Sequence, residues 1–412
     1  MSLANTPLPP SSPPLSQAVR GPSLVPLYVI AAVLDAGFGS IFAVLAEIKN
    51  HFGLETFWIG VIGGAGFVSS FAAQISLARY ADRGHARLLI RLGLAVAVLS
   101  MLVLGFADSL FDFVLGRFLF GLSEGMVLPA ARRIAIAANP ARAGEALGRL
   151  MSFQVSGFLV GPLVGSVLFN LWGGVEGVRA TFLFTLFAVL ACTPLVIRMR
   201  VEEASEEGAR QRGVIRDLLR ERCMWGMLVA AAGYYGAFGI YEAIWAVFLD
   251  DLGASQVFIG VTLTIFAVPI ILMAPAAGRL AARRGPMRVA LLAILVTIPS
   301  VALYGVFENL WLLTLLMVVQ AVGDAVVMPA SQLAVSKYSG DQLAAGQGLL
   351  SAVGLAVAAG VAIASGAVYE SLGAGVLFGS WALVMVFTVL AAAWLGREDI
   401  GASAQDAAPE KI

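Results

Sequence analysis

The sequence predicts an all-α integral membrane protein, with twelve transmembrane helices arranged as two six-helix bundles related as parallel repeats. Three observations predict it: the abundance and spacing of apolar residues, the placement of basic residues, and an internal repeat. Of 412 residues, 59% are hydrophobic and 13% charged, and the mean hydropathy is +0.90. Soluble domains carry about 25% charged residues to cover their surface. This chain cannot build such a shell, which excludes a soluble enzyme. Lys+Arg and Asp+Glu both number 26, so no net charge favours nucleic acid, and no nucleic-acid partner is expected. The two cysteines, Cys192 and Cys223, lie in or beside apolar runs and form no disulfide framework.

A bilayer core about 30 Å thick takes about 20 apolar residues per helical crossing. Twelve runs meet this requirement: 24–46, 57–78, 88–107, 111–131, 147–170, 179–197, 224–249, 257–279, 288–307, 310–333, 345–369 and 374–396. None alternates with a period of two over about ten residues, so a transmembrane β-barrel is excluded. Backbone polar groups in lipid must bond within their own segment, which leaves helices.

With twelve crossings and the N-terminus in the cytoplasm, 23 of the 26 Lys and Arg residues fall in inner segments. Lys49 and Arg179 fall in outer loops and Arg117 inside a span, while the outer loops carry Asp108, Asp250, Asp251, Glu308 and Glu370. This bias orients both termini to the cytoplasm of an inner or plasma membrane. Residues 1–22, with six prolines and several serines, are expected to be a disordered tail. Residues 23–197 and 224–397 are the two bundles, 198–223 a partly helical cytoplasmic linker, and 398–412 a second loose tail.

A shift of 200 residues aligns the halves. Phe38-Gly39 meets Phe238-Gly239, and Ile59-Gly60-Val61 meets Ile259-Gly260-Val261. Arg79, Ala81 and Arg83 meet Arg279, Ala281 and Arg283, and Pro129-Ala130 meets Pro329-Ala330. Six crossings separate equivalent positions, so both halves insert with the same orientation, about an axis along the membrane normal. The crevice between the bundles is the natural place for a substrate.

The loop between spans 2 and 3, Ala78-Arg79-Tyr80-Ala81-Asp82-Arg83-Gly84-His85-Ala86-Arg87, resembles the first signature of the major facilitator superfamily, Gly-x-x-x-Asp-Arg-x-Gly-Arg-Arg. It has Ala78 for Gly, one residue fewer before Gly84, and Ala86 for one Arg. The second copy, Gly278 to Arg288, keeps the Gly and loses the Asp. The resemblance covers residues 24–397 and implies a gating role for Arg79, Asp82, Arg83, Gly84, Arg87, Arg279 and Arg283. The arginines serve equally as topology determinants.

Ionisable side chains within spans are costly and usually face a cavity or a partner. Here they are Asp35 in span 1, Arg117 and Glu124 in span 4, Glu242 in span 7, and Asp324 in span 10. Those are the first and fourth spans of each half, the helices that line the central pathway in the resembled family. Glu124 and Asp324 are equivalent under the shift. Arg117 and Glu124 are two turns apart, about 10 Å along the axis, too far to pair directly. Four carboxylates against one guanidinium cannot all be ionised cheaply at low dielectric, so some must carry a proton or await a cation. Asp35 is the expected lead proton carrier, Glu124 and Asp324 the alternatives, and Arg117 their tuning charge. Glu242 is as consistent with a structural role as with a functional one.

Arg117 to Gly125 is similar to a fourth-helix motif of proton-coupled members. Gly157-Phe158-Leu159-Val160-Gly161-Pro162-Leu163-Val164-Gly165 resembles the fifth-helix motif of drug:proton antiporters, with Ser166 for its last Gly. Glycines four apart make a flat groove for close helix approach, and Pro162 introduces a kink. Ordinary helix packing explains such glycines too.

These residues point to a proton-coupled secondary transporter that exports small amphipathic or cationic compounds by alternating access, working as a monomer with a small-molecule substrate, protons and the lipid bilayer as partners. The expected cavity joins Asp35, Glu124, Glu242 and Asp324 to Phe38, Phe120, Tyr234, Tyr235, Phe238, Tyr241 and Gln320. Gln320 is equally explained by a helix–helix hydrogen bond. A solute:proton symporter and a non-transporting receptor on the same scaffold are the alternatives. No Walker-type phosphate loop and no His/Cys cluster occurs, so neither a cofactor nor a metal is expected, and His51 and His85 both lie in loops.

Overall fold

The computed structural model describes residues 24–80, 84–138, 143–199, 214–340 and 342–406. The N-terminal tail, most of the linker, residues 407–412 of the C-terminal tail, Asp82 and Arg83 of the loop between α2 and α3, and the side chain of Arg79 lie outside the described residues. In the first half, α1 (Val25–Phe52), α2 (Thr56–Tyr80), α3 (Ala86–Gly105), α4 (Leu110–Ala138), α5 (Ala143–Trp172) and α6 (Gly174–Ile197) follow one another. After a short α7 (Val214–Leu218) come α8 (Arg222–Asp251), α9 (Gln256–Arg284), α10 (Pro286–Tyr304), α11 (Leu310–Ser339), α12 (Leu343–Leu395) and α13 (Arg397–Asp406). Among the described residues eleven helices are long and apolar enough to cross a membrane. One of them, α12, turns at Gly373 (φ 79°, ψ 175°), so it supplies two arms, residues 343–372 and 374–395, and twelve crossings result.

Left-handed glycines mark the same turns in both halves. Gly53 (φ 60°) ends α1 and Gly253 (φ 80°) follows α8. Gly173 (φ 68°) joins α5 to α6, as Gly373 joins the arms of α12. Each pair is 200 residues apart. A residue with a Cβ is disfavoured in this backbone region, so the sequence must repeat glycine wherever the fold repeats the turn. Gly84 (φ 84°) and Gly285 (φ 85°) serve the two basic loops in the same way.

The helices run past the predicted spans. At 28 residues for α1 and 30 for α11, and about 1.5 Å per residue, they exceed the apolar thickness of a bilayer. Arg179, expected in an outer loop, lies within α6, where it pairs with Asp108 at 2.8 Å and Glu176 at 3.1 Å. Residues 398–406 of the tail, expected to be loose, belong to α13. There Asp399 accepts from Tyr338 at 2.8 Å and pairs with Lys337. Leu272, Phe187 and Phe387, each about 70% exposed, face where the lipid tails would lie. Trp172, Trp311 and Trp394, also exposed, sit at helix ends where amphipathic rings favour the membrane interface.

The first half packs α1 on α5 and α6, and α4 on α2 and α3. The second packs α8 on α12, and α11 on α9 and α10. The halves meet through α2 with α12, α5 with α9, and α1 and α2 with α8. The helix-5 motif explains one seam. A Cβ on Gly157 would lie 2.0 Å from the Ala32 carbonyl oxygen, and one on Gly161 2.2 Å from that of Ala36. These glycines therefore bring α5 against α1 on the turn that carries Asp35. Pro162 packs on Gly39, and its carbonyl faces Gly260 of α9, so α5 is held between the halves.

The end of the molecule where α1 stops is the acidic one, and there the halves are bonded together. Lys49 pairs with Asp251 at 3.4 Å, and Asn50 donates to Asp250 at 2.7 Å. The Phe57 amide donates to Glu370 at 3.1 Å, and Gln256 donates to the Ala43 carbonyl. At the opposite, basic end, Arg279 and Arg283 are exposed.

Candidate functional site

Arg117 is fully buried and forms an ion pair with Glu242, which is 2% exposed. The pair joins α4 of the first half to α8 of the second. Gly66 of α2 makes room for it, since a Cβ there would lie 3.2 Å from the guanidinium carbon. The Arg117 Nε donates to the Ile62 carbonyl at 3.4 Å, and the guanidinium lies 5.0 Å from the ring centroid of Phe38 and 5.8 Å from that of Phe42. Aromatic faces attract a cation there. One guanidinium nitrogen, Nη1, and one carboxylate oxygen of Glu242, Oε2, have no partner.

Three more charges continue from the pair toward the basic end. Glu124, 7% exposed, lies within electrostatic reach of Asp35, Arg117 and Glu242. Asp35 is half-buried and accepts from Gln154 of α5 at 3.1 Å. Arg132, near the basic end of α4, acts on both Asp35 of α1 and Tyr235 of α8. Arg132 is exposed, so water reaches this neighbourhood between the halves.

The second half is built differently. Gln320 accepts from Tyr241 at 2.9 Å and from Tyr304 at 2.8 Å, and donates to Asp324 at 3.4 Å. A cavity is lined by Phe42, Phe158, Phe238, Tyr241, Glu242, Trp245, Leu263, Phe266, Tyr304, Met317 and Gln320. A smaller one is lined by Tyr234, Ala237, Phe238, Tyr241, Phe266, Thr297, Gln320, Asp324 and Met385.

The sequence-selected residues thus divide into two groups. Asp35, Arg117 and Glu124 form a charged cluster beside Glu242, while Tyr234, Phe238, Tyr241, Gln320 and Asp324 line the cavities. Glu242 belongs to both, as the partner of Arg117 and a wall of the larger cavity. Phe120 is fully buried, stacked behind Phe38 at 6.4 Å, so Phe42 and Phe158 stand where Phe38 and Phe120 were expected. Tyr235 turns toward Gly354 and Arg132. In the sequence Arg132 counts only among the 23 basic residues of the inner segments. Its signal was its place three residues after Pro129, still on the helix that carries Arg117 and Glu124. Trp245, Phe266, Tyr304 and Met317 carry no charge or motif, and only their helix faces could have marked them.

The family profile described as the Major Facilitator Superfamily matches residues 27–247 and again 227–411. The chain belongs to this superfamily. Two matches, one per half, accord with the repeat of turns and helices. As a member of the superfamily it is a multi-pass membrane transporter. It is 29% identical over 306 residues to the multidrug resistance protein MdtG of Enterobacter lignolyticus (strain SCF1), covering 72% of each chain. It is 28% identical over 316 residues to MdtG of Dickeya zeae (strain Ech586), covering 74% of this chain and 76% of that one. Among solved structures, it superposes on an inward-facing, unoccupied bacterial homologue of the human lysosomal transporter Spinster with a TM-score of 0.72 at 17% identity, covering 94% and 98% of the two chains. It superposes on the nucleoside transporter NupG with a TM-score of 0.73 at 14% identity, covering 90% and 98%. At such identity the two structures share the fold with this chain.

Proposed function

We propose that this superfamily member is a proton-coupled antiporter of the inner membrane, exporting small amphipathic compounds, cations foremost, by alternating access. The observation that carries the reading is the charged cluster in the crevice: Asp35, Glu124 and Glu242 beside Arg117 and Arg132, adjoining an aromatic cavity. A carboxylate that water can reach, on a helix between two rocking halves, has the means to exchange a proton with one side at a time. Asp35 fits that part best, because it is the half-buried member and is oriented by Gln154. The aromatic walls and acceptor oxygens suit a lipophilic cation, and the MdtG relatives are multidrug resistance proteins.

With the basic end in the cytoplasm, the orientation that the placement of Lys and Arg supports, the bonded acidic end is the outer one. Substrate then enters from the cytoplasm while Asp35 releases its proton to water near Arg132. Rocking would part Arg117 from Glu242, Lys49 from Asp251 and Asn50 from Asp250, and open the same crevice outward. The pathway lies within one chain, which favours a monomer.

Reconstitution in proteoliposomes tests this. Imposed substrate gradients should drive protons in the opposite direction, and Asp35→Asn should abolish that coupling and export-dependent resistance at unchanged protein level. Protons moving with the substrate would mean symport. Full coupled export by Asp35→Asn would remove Asp35 as the carrier.

A further inference from the structure

The two cavities share a wall of Phe238, Tyr241, Phe266 and Gln320. They differ in size and in chemistry. The larger is walled chiefly by aromatic and aliphatic side chains, with Glu242 and Gln320 as its polar groups. The smaller leaves space for about one water-sized group, the size of a headgroup rather than of a whole molecule.

The smaller cavity contains an uncompensated acid. Asp324 is 2% exposed, and its Oδ2 accepts from Gln320 while Oδ1 has no partner. Unlike Glu242, it has no basic side chain acting on it among the described residues. The Tyr241 hydroxyl has already given its proton to Gln320, and the Thr297 hydroxyl has given its own to the Ile294 carbonyl. Of the lining hydroxyls only that of Tyr234 keeps a proton to give, and the other oxygens left toward the space are acceptors. The rings of Tyr234, Phe238 and Phe266 and the thioether of Met385 complete the lining. An unpartnered buried carboxylate oxygen is costly until a donor reaches it, and π faces beside it select a donor that is positively charged.

We propose that the small cavity is a subsite for the –NH₃⁺ headgroup of a primary amine, whose apolar body extends from it along the aromatic wall shared with the larger cavity. The inference rests on the cationic-substrate reading above and narrows it. The headgroup must be slim and must carry N–H donors for Asp324. A quaternary ammonium group on the same body has neither property.

Equilibrium binding to the purified full-length protein in lipid nanodiscs tests this with 2-(1-naphthyl)ethylamine and its N,N,N-trimethyl analogue. The wild type should bind the primary amine about tenfold tighter, the scale of one charge-assisted hydrogen bond in a buried site. Asp324→Asn should erase the difference by weakening the primary amine alone. Ala237→Val, which narrows the small cavity and keeps every carboxylate, should do the same, so the proposal does not hang on one variant's folding. Equal wild-type affinities, or an unchanged preference in folded Asp324→Asn, overturns the headgroup subsite and leaves the cationic-substrate reading standing. Wild-type protein that binds neither compound overturns that reading and the subsite together.

Discussion

Residues 200 apart occupy equivalent places in the two halves, yet the halves have divided the chemistry between them. Glu124 and Asp324 are both acids. Around them the pairs differ: Arg117 stands opposite Met317, Asp35 opposite Tyr235, Phe120 opposite Gln320, and Phe42 opposite Glu242. The first half thus gathers arginines and carboxylates, and the second sets its acid among tyrosines, Gln320 and apolar rings. Glu242 is the exception. It stands on a second-half helix where its equivalent is Phe42, and it supplies the counter-charge that Arg117 lacks within its own half. At matched positions of one repeated scaffold, the first half carries a charge cluster and the second an acid set in an aromatic cavity.

The sharpest way to break this comparison is to give the first half the second half's residue. Arg117→Met leaves Glu242 buried without its partner and should cost about 3–5 kcal/mol of stability, as loss of one member of a buried pair does. Adding Glu242→Leu should recover most of that loss while transport stays abolished. Thermal unfolding of both variants in detergent checks this. If the double variant is no more stable than the single one, the pair is not what ties Arg117 to the second half.

A smaller effect concerns how the halves hold their helices. Gly161 abuts the backbone of Ala36, whereas Gly360 on α12 has nothing within 4 Å of a built Cβ. Gly161→Ala should cost at least about 2 kcal/mol, because rigid backbone must move to admit the methyl group. Gly360→Ala should change stability by no more than about 1 kcal/mol, and in the stabilising direction. Comparable losses in both would show that the fit of α5 against α1 is not special.

The smallest effect is expected at the acidic end. The side chains of Lys49 and Asp251 are 20% and 41% exposed, and a partly exposed pair contributes at most about 1 kcal/mol. Lys49→Ala should therefore leave the melting temperature almost unchanged. A large loss would move the main connection between the halves from the buried Arg117–Glu242 pair to the rim.

Much of this was legible in the chain itself. Apolar runs of bilayer length, arginines gathered in alternate loops, and matched glycines 200 apart specify helices, their number and their relation, because each is a local or periodic signal. Charges within apolar runs also stand out, which is why Asp35, Arg117, Glu124, Glu242 and Asp324 could be selected. Their partners could not be read in the same way. Arg117 finds Glu242 across 125 positions, and Gln154 finds Asp35 across 119. The helix ends of α6 and α13 were missed because polar residues there resemble loop and tail in composition.

By itself, the sequence determined that the chain crosses a membrane twelve times as two like halves with acids stranded in their first and fourth helices, since hydrophobicity and repetition are properties of the chain read in order. Only the tertiary structure decided which acid an arginine neutralises, which one water reaches, and which is left with a bare oxygen facing a cavity. Those outcomes depend on distance and burial between segments far apart in the chain, and a linear order of residues carries neither.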